Sequence, residues 1–372
     1  MIDLVDLHLH STYSHLDGFG LPSVIVKRAK DLGRKAIALT DHGSISGFVQ
    51  LEKACKEHSI KPIYGCEAYI VDDVQTMFSE KIRAKNHITI LAKNLAGYKN
   101  LLKLASLAYS DGFYYKPTID ERMLFENSGN LIVMSGCWTG KLHSFLRKND
   151  IEAAIKTAEQ YKAIFGKNYY LETQHFDLFR DTIPMLSRVA EVVDVPIVVT
   201  CDPHYLEASQ AEIQEILHAI RDGRRFDSSK ILYGAYQWKA EDLLVALQAL
   251  GNYPWQKIME QTVAIASTID KYDIPKGGAP SFGVDNSHLL LEKNAKQGLR
   301  WRGKDNEIYR KRLEYELTII QQKNYSDFFL ITADVVQWAK KNHILVGPAR
   351  GSAGGSLLCY ALGINEVDPI PF

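Results

Sequence analysis

The chain has 372 residues, which at about 150 residues per domain suggests about two domains. Apolar residues make up 46% and charged residues 24%, a globular composition that excludes a disordered tail, a collagen-like repeat and a disulfide-stapled miniature. Lys+Arg and Asp+Glu both number 44, so any surface for nucleic acid must be local. The five cysteines, with no membrane-length apolar run and no secretory signal, predict a cytoplasmic protein with reduced thiols and no membrane partner.

Short β-rich runs alternate with amphipathic segments through the first 220 residues. The runs predicted as strands are Leu4–Leu9, Ala36–Thr40, Pro62–Val71, His87–Ala92, Leu131–Ser135, Asn168–Thr173 and Pro196–Thr200. The segments between them, several bounded by Gly or Pro, are predicted as helices. This alternation predicts an α/β fold with β/α units on a parallel sheet, open or closed. Seven strands suit a barrel slightly smaller than the eight-stranded type.

The segment 274–284, IPKGGAPSFGV, is rich in Gly and Pro and predicts a boundary between two domains, 1–270 and 271–372. Beyond it, helical patterns cover 287–301, 307–324 and 326–342. An apolar run at 344–346, predicted as a strand, is followed by a glycine-rich loop and a helix. The second domain is therefore predicted to be α+β.

Side chains that can bind metal ions recur where the predicted strands end. His8 and His10 close the first strand, and alternate residues of an extended chain point to the same side. Later strands are followed by Asp41 and His42, Glu67, Cys137, and Asp202 and His204, while Asp17 lies in the first loop. His87 instead precedes its strand, which a purely parallel barrel does not explain. Because barrel strands carry active-site residues at their carboxyl ends, the recurrence predicts one shared site.

Apart from Asp41, these residues supply five imidazoles, three carboxylates and one thiol, which are too many ligands for one zinc ion and suit two or three ions. Mixed nitrogen and oxygen ligands fit Zn, Mn or Fe, and the thiol favours Zn. Closely spaced ions activate water and neutralise a phosphate ester, which predicts phosphoester hydrolysis with Asp41, His42 and Asp202 as candidate catalytic residues. His15 is a competing ligand near Asp17, and the alternative for Asp41 is support of a ligand from behind.

Three further features are more ambiguous. The loop 347–356, GPARGSAGGS, is either a flexible turn or a phosphate-binding loop in which Arg350 supplies the charge. Residues 296–312 contain seven Lys or Arg, including Arg300, Arg302 and Lys304, and form either a DNA-backbone patch or a solvated helix face. The aromatic run at 113–115 is interpreted as packing rather than as a nucleotide platform.

Taken together, these motifs match a known family. HLHSTYSHLDG, TDHGS, GCEAYI, NHITILAKN, GFYYKPTID, SGC and CDPHY, in that order, resemble the polymerase-and-histidinol-phosphatase (PHP) domain that opens the alpha subunit of bacterial DNA polymerase III. YELTII, FFLITADVVQWAKKN and ILVGPARGSAGGSLLCYALGINEVDPI resemble the start of the palm of that enzyme. The resemblance covers essentially the whole chain. It implies a seven-stranded β/α PHP barrel at 1–270, followed by a partial α+β palm at 271–372.

The resemblance also implies roles for individual residues. The family's metal ligands fall on His8, His10, Asp17, His42, Glu67, His87, Cys137, Asp202 and His204. An intact set implies a metal-loaded site that acts as a 3′–5′ exonuclease or a phosphatase. In the palm loop, Arg350, Gly351, Ser352 and Ser356 would bind the triphosphate of a dNTP. Ala349 replaces a usual Gly, which matters if that position needs a positive φ.

The family's catalytic aspartates, which hold the Mg²⁺ ions of polymerisation, come after this loop and beyond residue 372. We therefore expect DNA synthesis only together with a C-terminal polymerase polypeptide, as in a split or cut polymerase. The expected partners are DNA and dNTPs, and through the complete enzyme a sliding clamp and a proofreading exonuclease. Two alternatives are a free-standing PHP metallophosphoesterase, disfavoured by the palm-like loop, and a metal-stabilised scaffold, disfavoured by the intact ligand set.

Overall fold

The computed structural model describes residues 3–275, 277–278 and 280–372. The chain divides into two compact units, Met1–Ile274 and Pro275–Phe372. The division falls inside the Gly/Pro-rich segment 274–284, of which residues 276 and 279 lie outside the described residues. Each unit has its own hydrophobic core. Among the described helices, none is long and apolar enough to cross a membrane.

A mixed eight-stranded sheet forms the centre of the first unit. Its strands are β1 Ala36–Leu39, β2 Lys61–Val71, β3 Asn86–Ala92, β4 Phe113–Tyr114, β5 Lys116–Asp120, β6 Leu131–Met134, β7 Tyr169–Gln174 and β8 Ile197–Thr200. They pair in the order β4-β5-β2-β3-β6-β7-β8, and β1 pairs with the first half of β2. The predicted α/β barrel-type fold is confirmed, and six of the seven predicted strands are present.

The sequence-based description of the sheet needs three corrections. Residues 4–9 form no strand of their own but run extended beside β1, with the Ala38 N–H donating to the Asp6 carbonyl. The hairpin β4–β5 was missed. The sheet is not purely parallel, because β3 runs antiparallel to both β2 and β6. The pattern of apolar residues indicates which residues are buried but not the direction of a strand, so it could not predict that β3 is antiparallel.

Helices pack around the sheet, and strands such as β1 and β6 are buried on both faces. The helices are α1 Pro22–Asp31, α2 Phe48–His58, α3 Val74–Ser79, α4 Leu95–Ser110, α5 Glu121–Glu126, α6 Lys141–Arg147, α7 Ile151–Phe165, α8 Ile183–Val193, α9 Ala211–Asp222, α10 Ala240–Gln248 and α11 Trp255–Ser267. In β1, Ile37 and Leu39 join the outer core while Ala36 and Ala38 join an inner one. Such two-sided burial explains why the strands read as continuous apolar runs.

The second unit is helical throughout its described part. It consists of α12 Ser287–Trp301, α13 Glu307–Gln322, α14 Ser326–Lys341 and α15 Leu357–Ala361, with a 3₁₀ turn at Gly351–Gly355. The strand predicted at 344–346 is not formed, and Ile344 and Leu345 are exposed. A strand needs a hydrogen-bonded neighbour, and the described residues of this unit supply none.

Candidate metal centre

The orientation of β3 explains how the candidate ligands meet. β1 and β2 run parallel, so the residues that follow them, including His42, lie at one edge of the sheet. β3 runs the opposite way, and its first residues therefore lie at that same edge. This places His87 opposite Tyr69, two residues beyond Glu67. The position of His87 before its strand is thus a consequence of an antiparallel strand.

Three buried side chains and the partly buried Asp202 form the inner part of the centre. His8 Nε2 lies 3.2 Å from His10 Nε2 and 3.3 Å from Glu67 Oε1. Asp202 Oδ1 lies 3.3 Å from His8 Nε2 and 3.0 Å from His10 Nε2. His10 Nε2 is also 3.4 Å from Glu67 Oε2. Two imidazole nitrogens and two carboxylates thus face one small volume.

A second group adjoins the first through Glu67. His42 Nδ1 lies 2.6 Å from Glu67 Oε2, and His42 Nε2 lies 3.5 Å from Asp17 Oδ2. His204 Nε2 is 3.5 Å from Asp17 Oδ1, and the His204 ring stacks on His10 with centroids 4.2 Å apart. Glu67 therefore connects two clusters of nitrogen and oxygen donors.

His87 and Cys137 complete the cluster on the remaining side. His87 Nδ1 lies 3.0 Å from Glu67 Oε1, and Cys137 Sγ lies 3.4 Å from His87 Nδ1. The Cys137 thiol also lies 3.1 Å from Thr139 Oγ1. The structure thus brings all nine candidate ligands of the sequence analysis into one cluster. The exposed His15 is not among them.

Burial and mutual charge set the protonation states of the cluster. Burial, reinforced by the charges of His204 and His42, lowers the pKa of His10 to about 3. Burial opposes protonation of His42 as well, but the carboxylates of Glu67 and Asp17 raise its pKa to about 10. Burial would raise the pKa of Glu67, yet the surrounding imidazoles hold it well below its usual range. The carboxylates are therefore ionised and need positive charge beside them.

The arrangement of donor atoms fits bound metal ions. Glu67 Oε2, His42 Nδ1 and Asp202 Oδ1 are buried and make no well-aligned hydrogen bond among the described residues, although Glu67 Oε2 lies 2.6 Å from His42 Nδ1 and Asp202 Oδ1 lies 3.0 Å from His10 Nε2. Buried polar atoms without partners are rare and call for an ion, a water molecule or strain. Donors on one tetrahedral zinc lie about 3.3 Å apart, close to the 3.0–3.5 Å separations of most donor pairs given above. The residues thus fit a cluster of divalent transition-metal ions.

Three sets of three side chains each present ligand atoms within 4.8 Å of one another. They are His8, His10 and Glu67; His10, His42 and His204; and His42, Glu67 and His87. His10, His42 and Glu67 each belong to two sets, so the sets are joined rather than separate. Such sharing is what closely spaced ions require, because bridging ligands hold them together.

Asp202 has an unusual backbone conformation. Its φ of 47° lies in the left-handed region, which costs a residue with a side chain about 1 kcal/mol or more. Hydrogen bonds on both sides of it hold the loop: the His10 N–H donates to the Pro203 carbonyl, and the His204 N–H donates to the Ala235 carbonyl. The strain turns the Asp202 carboxylate towards His8 and His10.

Asp41, a candidate catalytic residue in the sequence analysis, does not lie among the ligand atoms. Its Oδ1 accepts hydrogen bonds from the Ser11 N–H and the Ser14 hydroxyl, both at 2.7 Å, and its Oδ2 accepts one from the Ser11 hydroxyl at 2.9 Å. Ser14 Oγ also lies 2.8 Å from His10 Nδ1. Asp41 therefore positions His10 through Ser14, which corresponds to the alternative considered for it.

The sequence analysis missed several residues that contact the centre. Glu172, fully buried in β7, lies 2.6 Å from His8 Nδ1 and orients that ring from behind. A carboxylate inside an apolar strand was a usable signal. His218 and Arg221 of α9 reach Asp17, with His218 Nε2 2.7 Å from Oδ1 and the Arg221 guanidinium 3.1 Å from Oδ2. These two lie some 200 positions from Asp17, and no local pattern marks them.

The glycine-rich loop of the second unit is placed differently. Arg350, Gly351 and Ser352 are exposed, and Gly351 has a φ of 55°. Ser356 caps α15, and its hydroxyl donates to Glu316 Oε2 at 2.8 Å. Ala349 lies outside the left-handed region, so its replacement of a usual glycine causes no strain. Ser356, expected to bind phosphate, is thus already bonded to a carboxylate.

Two of the three candidate DNA-binding residues form contacts inside the second unit. The Arg302 guanidinium donates to Glu366 at 2.9 Å and packs 4.0 Å from the centroid of the Tyr360 ring. Lys304 Nζ lies 3.1 Å from Asp368 Oδ2. Only Arg300 is widely exposed, and it too has an acidic neighbour. The solvated helix face, the alternative interpretation, accounts for these residues better.

Comparisons with known proteins agree with this architecture. Residues 6–175 match the model of the PHP domain, and residues 289–372 match the bacterial DNA polymerase III alpha NTPase domain. DNA polymerase III subunit alpha of Aquifex aeolicus is 36% identical over 99% of this chain and 34% of its own length. The subunit of Treponema pallidum is 34% identical over 100% of this chain and 33% of its own length.

Among solved structures, the chain is similar to a two-domain protein of Bacteroides vulgatus that contains a predicted PHP-like metal-dependent phosphoesterase. The TM-score is 0.34 and the identity 17%, over 55% of this chain and 54% of that one, a likeness too distant to bear on function.

Fold, ligand cluster and family model together define the first unit as a PHP domain. Over nearly its whole length the chain is similar to bacterial DNA polymerase III alpha subunits, and residues 289–372 match a domain model of that subunit. It spans about a third of the length of the curated relatives it matches.

Proposed function

We propose that the first unit is a metal-dependent phosphoester hydrolase, acting as a 3′–5′ exonuclease or a phosphatase. The observation that carries this proposal is the convergence of nine ligand-capable side chains into one cluster, in which three buried donor atoms make no well-aligned hydrogen bond within the described residues. Zinc suits this donor set best, because imidazole, carboxylate and thiolate ligands occur together, and manganese and iron are the alternatives.

Bound ions would supply an activated water molecule and neutralise the charge of a phosphate ester. The side chains of the PHP domain hold and orient those ions. His8, His10, Glu67 and Asp202 form the inner ligand group, and His42 extends it through Glu67. Glu172 and the Asp41–Ser14 pair fix the rings of His8 and His10 from behind, which keeps the donor atoms in place before substrate arrives.

Two measurements on the purified chain test this function together. Elemental analysis should find two to three transition-metal ions per chain, and a 3′-labelled DNA strand or a small phosphodiester should be hydrolysed. His10→Ala and Asp202→Ala should lose bound metal and hydrolysis. His15→Ala removes an exposed histidine of the same loop and serves as the control. Unchanged hydrolysis in both ligand variants would refute the assignment.

We further propose that the chain is the amino-terminal component of a bacterial-type replicative DNA polymerase. It would transfer nucleotides only together with a polypeptide that carries the rest of the polymerase. Residues 271–372 would be the first part of the palm, in which Arg350, Gly351 and Ser352 approach the triphosphate of a dNTP. The homology to DNA polymerase III alpha subunits supports this proposal. Catalytic aspartates, Mg²⁺ and the remaining DNA-binding surface would come from sequence outside residues 1–372, as would contacts to a clamp or a proofreading partner.

Reconstitution tests the polymerase proposal. The chain is combined with a polypeptide that carries the remaining two thirds of a DNA polymerase III alpha subunit, and dNTP incorporation on a primed template is measured. Incorporation should require both parts and should fall when Arg350 is changed to Ala. A stable complex that incorporates no nucleotide would refute the proposal.

A further inference from the structure

The hairpin β4–β5 presents aromatic side chains to solvent. Phe113 is 51% exposed and Tyr115 is 62% exposed, so neither ring is part of the core. Phe113 stacks on the exposed Tyr109 of α4 with centroids 5.9 Å apart, and the half-buried Tyr114 contacts Phe78, so packing accounts for part of this run. Exposed aromatic rings that lie together on a surface, unlike single ones, mark an interaction site.

Two cations without acidic partners lie at the hairpin. Arg83 and Lys116 are exposed, and neither forms an ion pair within the described parts of the chain. The basic residues of segment 296–312 behave oppositely, since all seven of them lie within 4.0 Å of a carboxylate. Positive charge at the hairpin is therefore available to an anion from outside the chain.

Arg83 and Tyr115 are held together as one flat surface. The Arg83 guanidinium lies 4.4 Å from the centroid of the Tyr115 ring and donates to the Tyr115 hydroxyl at 2.7 Å. Tyr115 forms the turn between the paired residues Tyr114 and Lys116, and its φ of 63° is unusual for a bulky residue. A strained, exposed aromatic residue beside an arginine suggests a binding function rather than a structural one.

The hairpin adjoins the metal centre. Lys116 Nζ lies 4.2 Å from the centroid of the Tyr69 ring, and that ring packs on His42 and His87 with centroids 5.7 and 5.1 Å apart. Lys116 therefore stands between the exposed rings and the ligand cluster.

We propose that Arg83, Phe113, Tyr115 and Lys116, here called the hairpin platform, bind single-stranded nucleic acid and direct its end towards the metal centre. Bases would stack on the Phe113 and Tyr115 rings, and the cations of Arg83 and Lys116 would contact the phosphates. Stacking on aromatic rings combined with backbone contacts by cations is the general mode of sequence-tolerant single-strand binding. The proposal rests on the proposed hydrolase function only for the fate of the bound strand.

Binding is measured on the full chain with a fluorescein-labelled oligothymidylate in EDTA, so that hydrolysis plays no part. Tyr115→Ala should weaken binding about five- to 100-fold, as expected for loss of one stacked base. Tyr115→Phe, which keeps the ring, should restore most of it. Arg83→Ala and Lys116→Ala should each reduce the slope of log affinity against log salt by about 0.7, the value for one phosphate contact on a single strand.

Matched controls are Tyr315→Ala, which removes an exposed tyrosine of the second unit, and Arg188→Ala, which removes an exposed arginine paired with Glu191. Both should bind like the unaltered chain. If Tyr115→Ala, Arg83→Ala and Lys116→Ala have the affinity and the salt slope of the unaltered chain, the proposed platform is wrong, even if the chain hydrolyses phosphoesters. No binding by the unaltered chain at low salt also overturns it, in favour of a protein partner. Platform-dependent binding without hydrolysis would uphold the platform and refute the hydrolase.

Discussion

The metal centre and the glycine-rich loop are both sites that the sequence predicted, and they differ in how their polar groups are satisfied. In the metal centre, Glu67 Oε2 and Asp202 Oδ1 are buried and face imidazole nitrogens at 2.6 and 3.0 Å, but make no well-aligned hydrogen bond in the described part of the chain. At the loop, the Glu316 carboxylate accepts from the Ser356 hydroxyl and from the N–H groups of Leu357 and Leu358. The carboxylates of the metal centre are arranged for a bound cation, whereas the donors at the start of α15 are satisfied by the Glu316 side chain.

The difference has a physical basis. Buried ionised carboxylates without well-aligned hydrogen bonds are incompletely stabilised, so the first site gains free energy when cations enter it. The Glu316 carboxylate already neutralises the donors at the start of α15, as an acidic side chain near a helix start does. Metal ions should therefore change the stability of the first unit strongly, while the second unit should depend on its internal contacts.

Metal removal should give the largest effect. At a free metal concentration about 1,000 times the dissociation constant, binding stabilises the folded state by about 4 kcal/mol. For a domain of this size that corresponds to roughly 8–16 °C in Tm. Calorimetry in EDTA and in Zn²⁺ should therefore show the transition of the first unit shifting by this amount. The transition of the second unit should stay in place.

An equal shift in both units would mean that the metal acts nonspecifically. No shift in either unit would show that the carboxylates of Glu67 and Asp202 do not bind a stabilising metal ion. The Asp202→Ala chain provides the internal control, since it lacks a ligand of the inner group and should lose most of the Zn²⁺-dependent shift.

Glu172→Gln should give the next largest effect. The substitution keeps the shape of the side chain but removes the charge that faces His8 Nδ1 at 2.6 Å. Loss of such a supporting carboxylate typically lowers metal affinity 10- to 100-fold, and we expect that loss in a Zn²⁺ titration with a competing chelator. The neighbouring Thr173→Val is the matched control, because the buried Thr173 hydroxyl has no hydrogen-bond partner in the described structure. Equal affinities in the two variants would show that Glu172 is only a packing residue.

The sequence predicts some residues of the metal centre and not others, depending on whether a residue directly follows an apolar run. His8, His10 and His42 follow apolar runs, and the rule that strand ends carry active-site residues was enough to find them. His87 required the direction of β3, which burial patterns do not encode. His218 required the packing of α9 against the Asp17 loop, a contact 201 positions apart along the chain.

The fold itself shows the same limits. Apolar runs predicted six strands, because strands that are buried on both faces, such as β1 and β6, consist of continuous apolar residues. The hairpin β4–β5 escaped prediction because Phe113 and Lys116 are exposed and give no apolar run. The run at 344–346 has the composition of a strand, but pairing depends on a neighbour, and composition cannot supply one.

In the second unit, Glu316→Ala should destabilise by about 1–3 kcal/mol, since it leaves the Leu357 and Leu358 N–H groups and the Ser356 hydroxyl without their acceptor. Chemical denaturation followed through this unit measures the change. Glu314→Ala, two positions earlier on the same helix and exposed, should change the free energy of unfolding by less than about 0.5 kcal/mol. Similar losses in both variants would show that Glu316 contributes through helix propensity alone.

Arg300→Ala should have the smallest effect. The Arg300 side chain is exposed, and its only described ion pair is a 3.4 Å contact to Asp305, which also pairs with Arg310 at 2.6 Å. Exposed pairs of this kind contribute about 0–1 kcal/mol, and Arg310 remains to neutralise Asp305. We therefore expect unfolding to change by less than about 0.5 kcal/mol, and single-strand affinity to stay within twofold. A loss of affinity equal to that of Arg83→Ala would restore the segment 296–312 as a DNA surface. Unequal losses would show that unpaired cations, rather than the number of cations, determine where the chain holds nucleic acid.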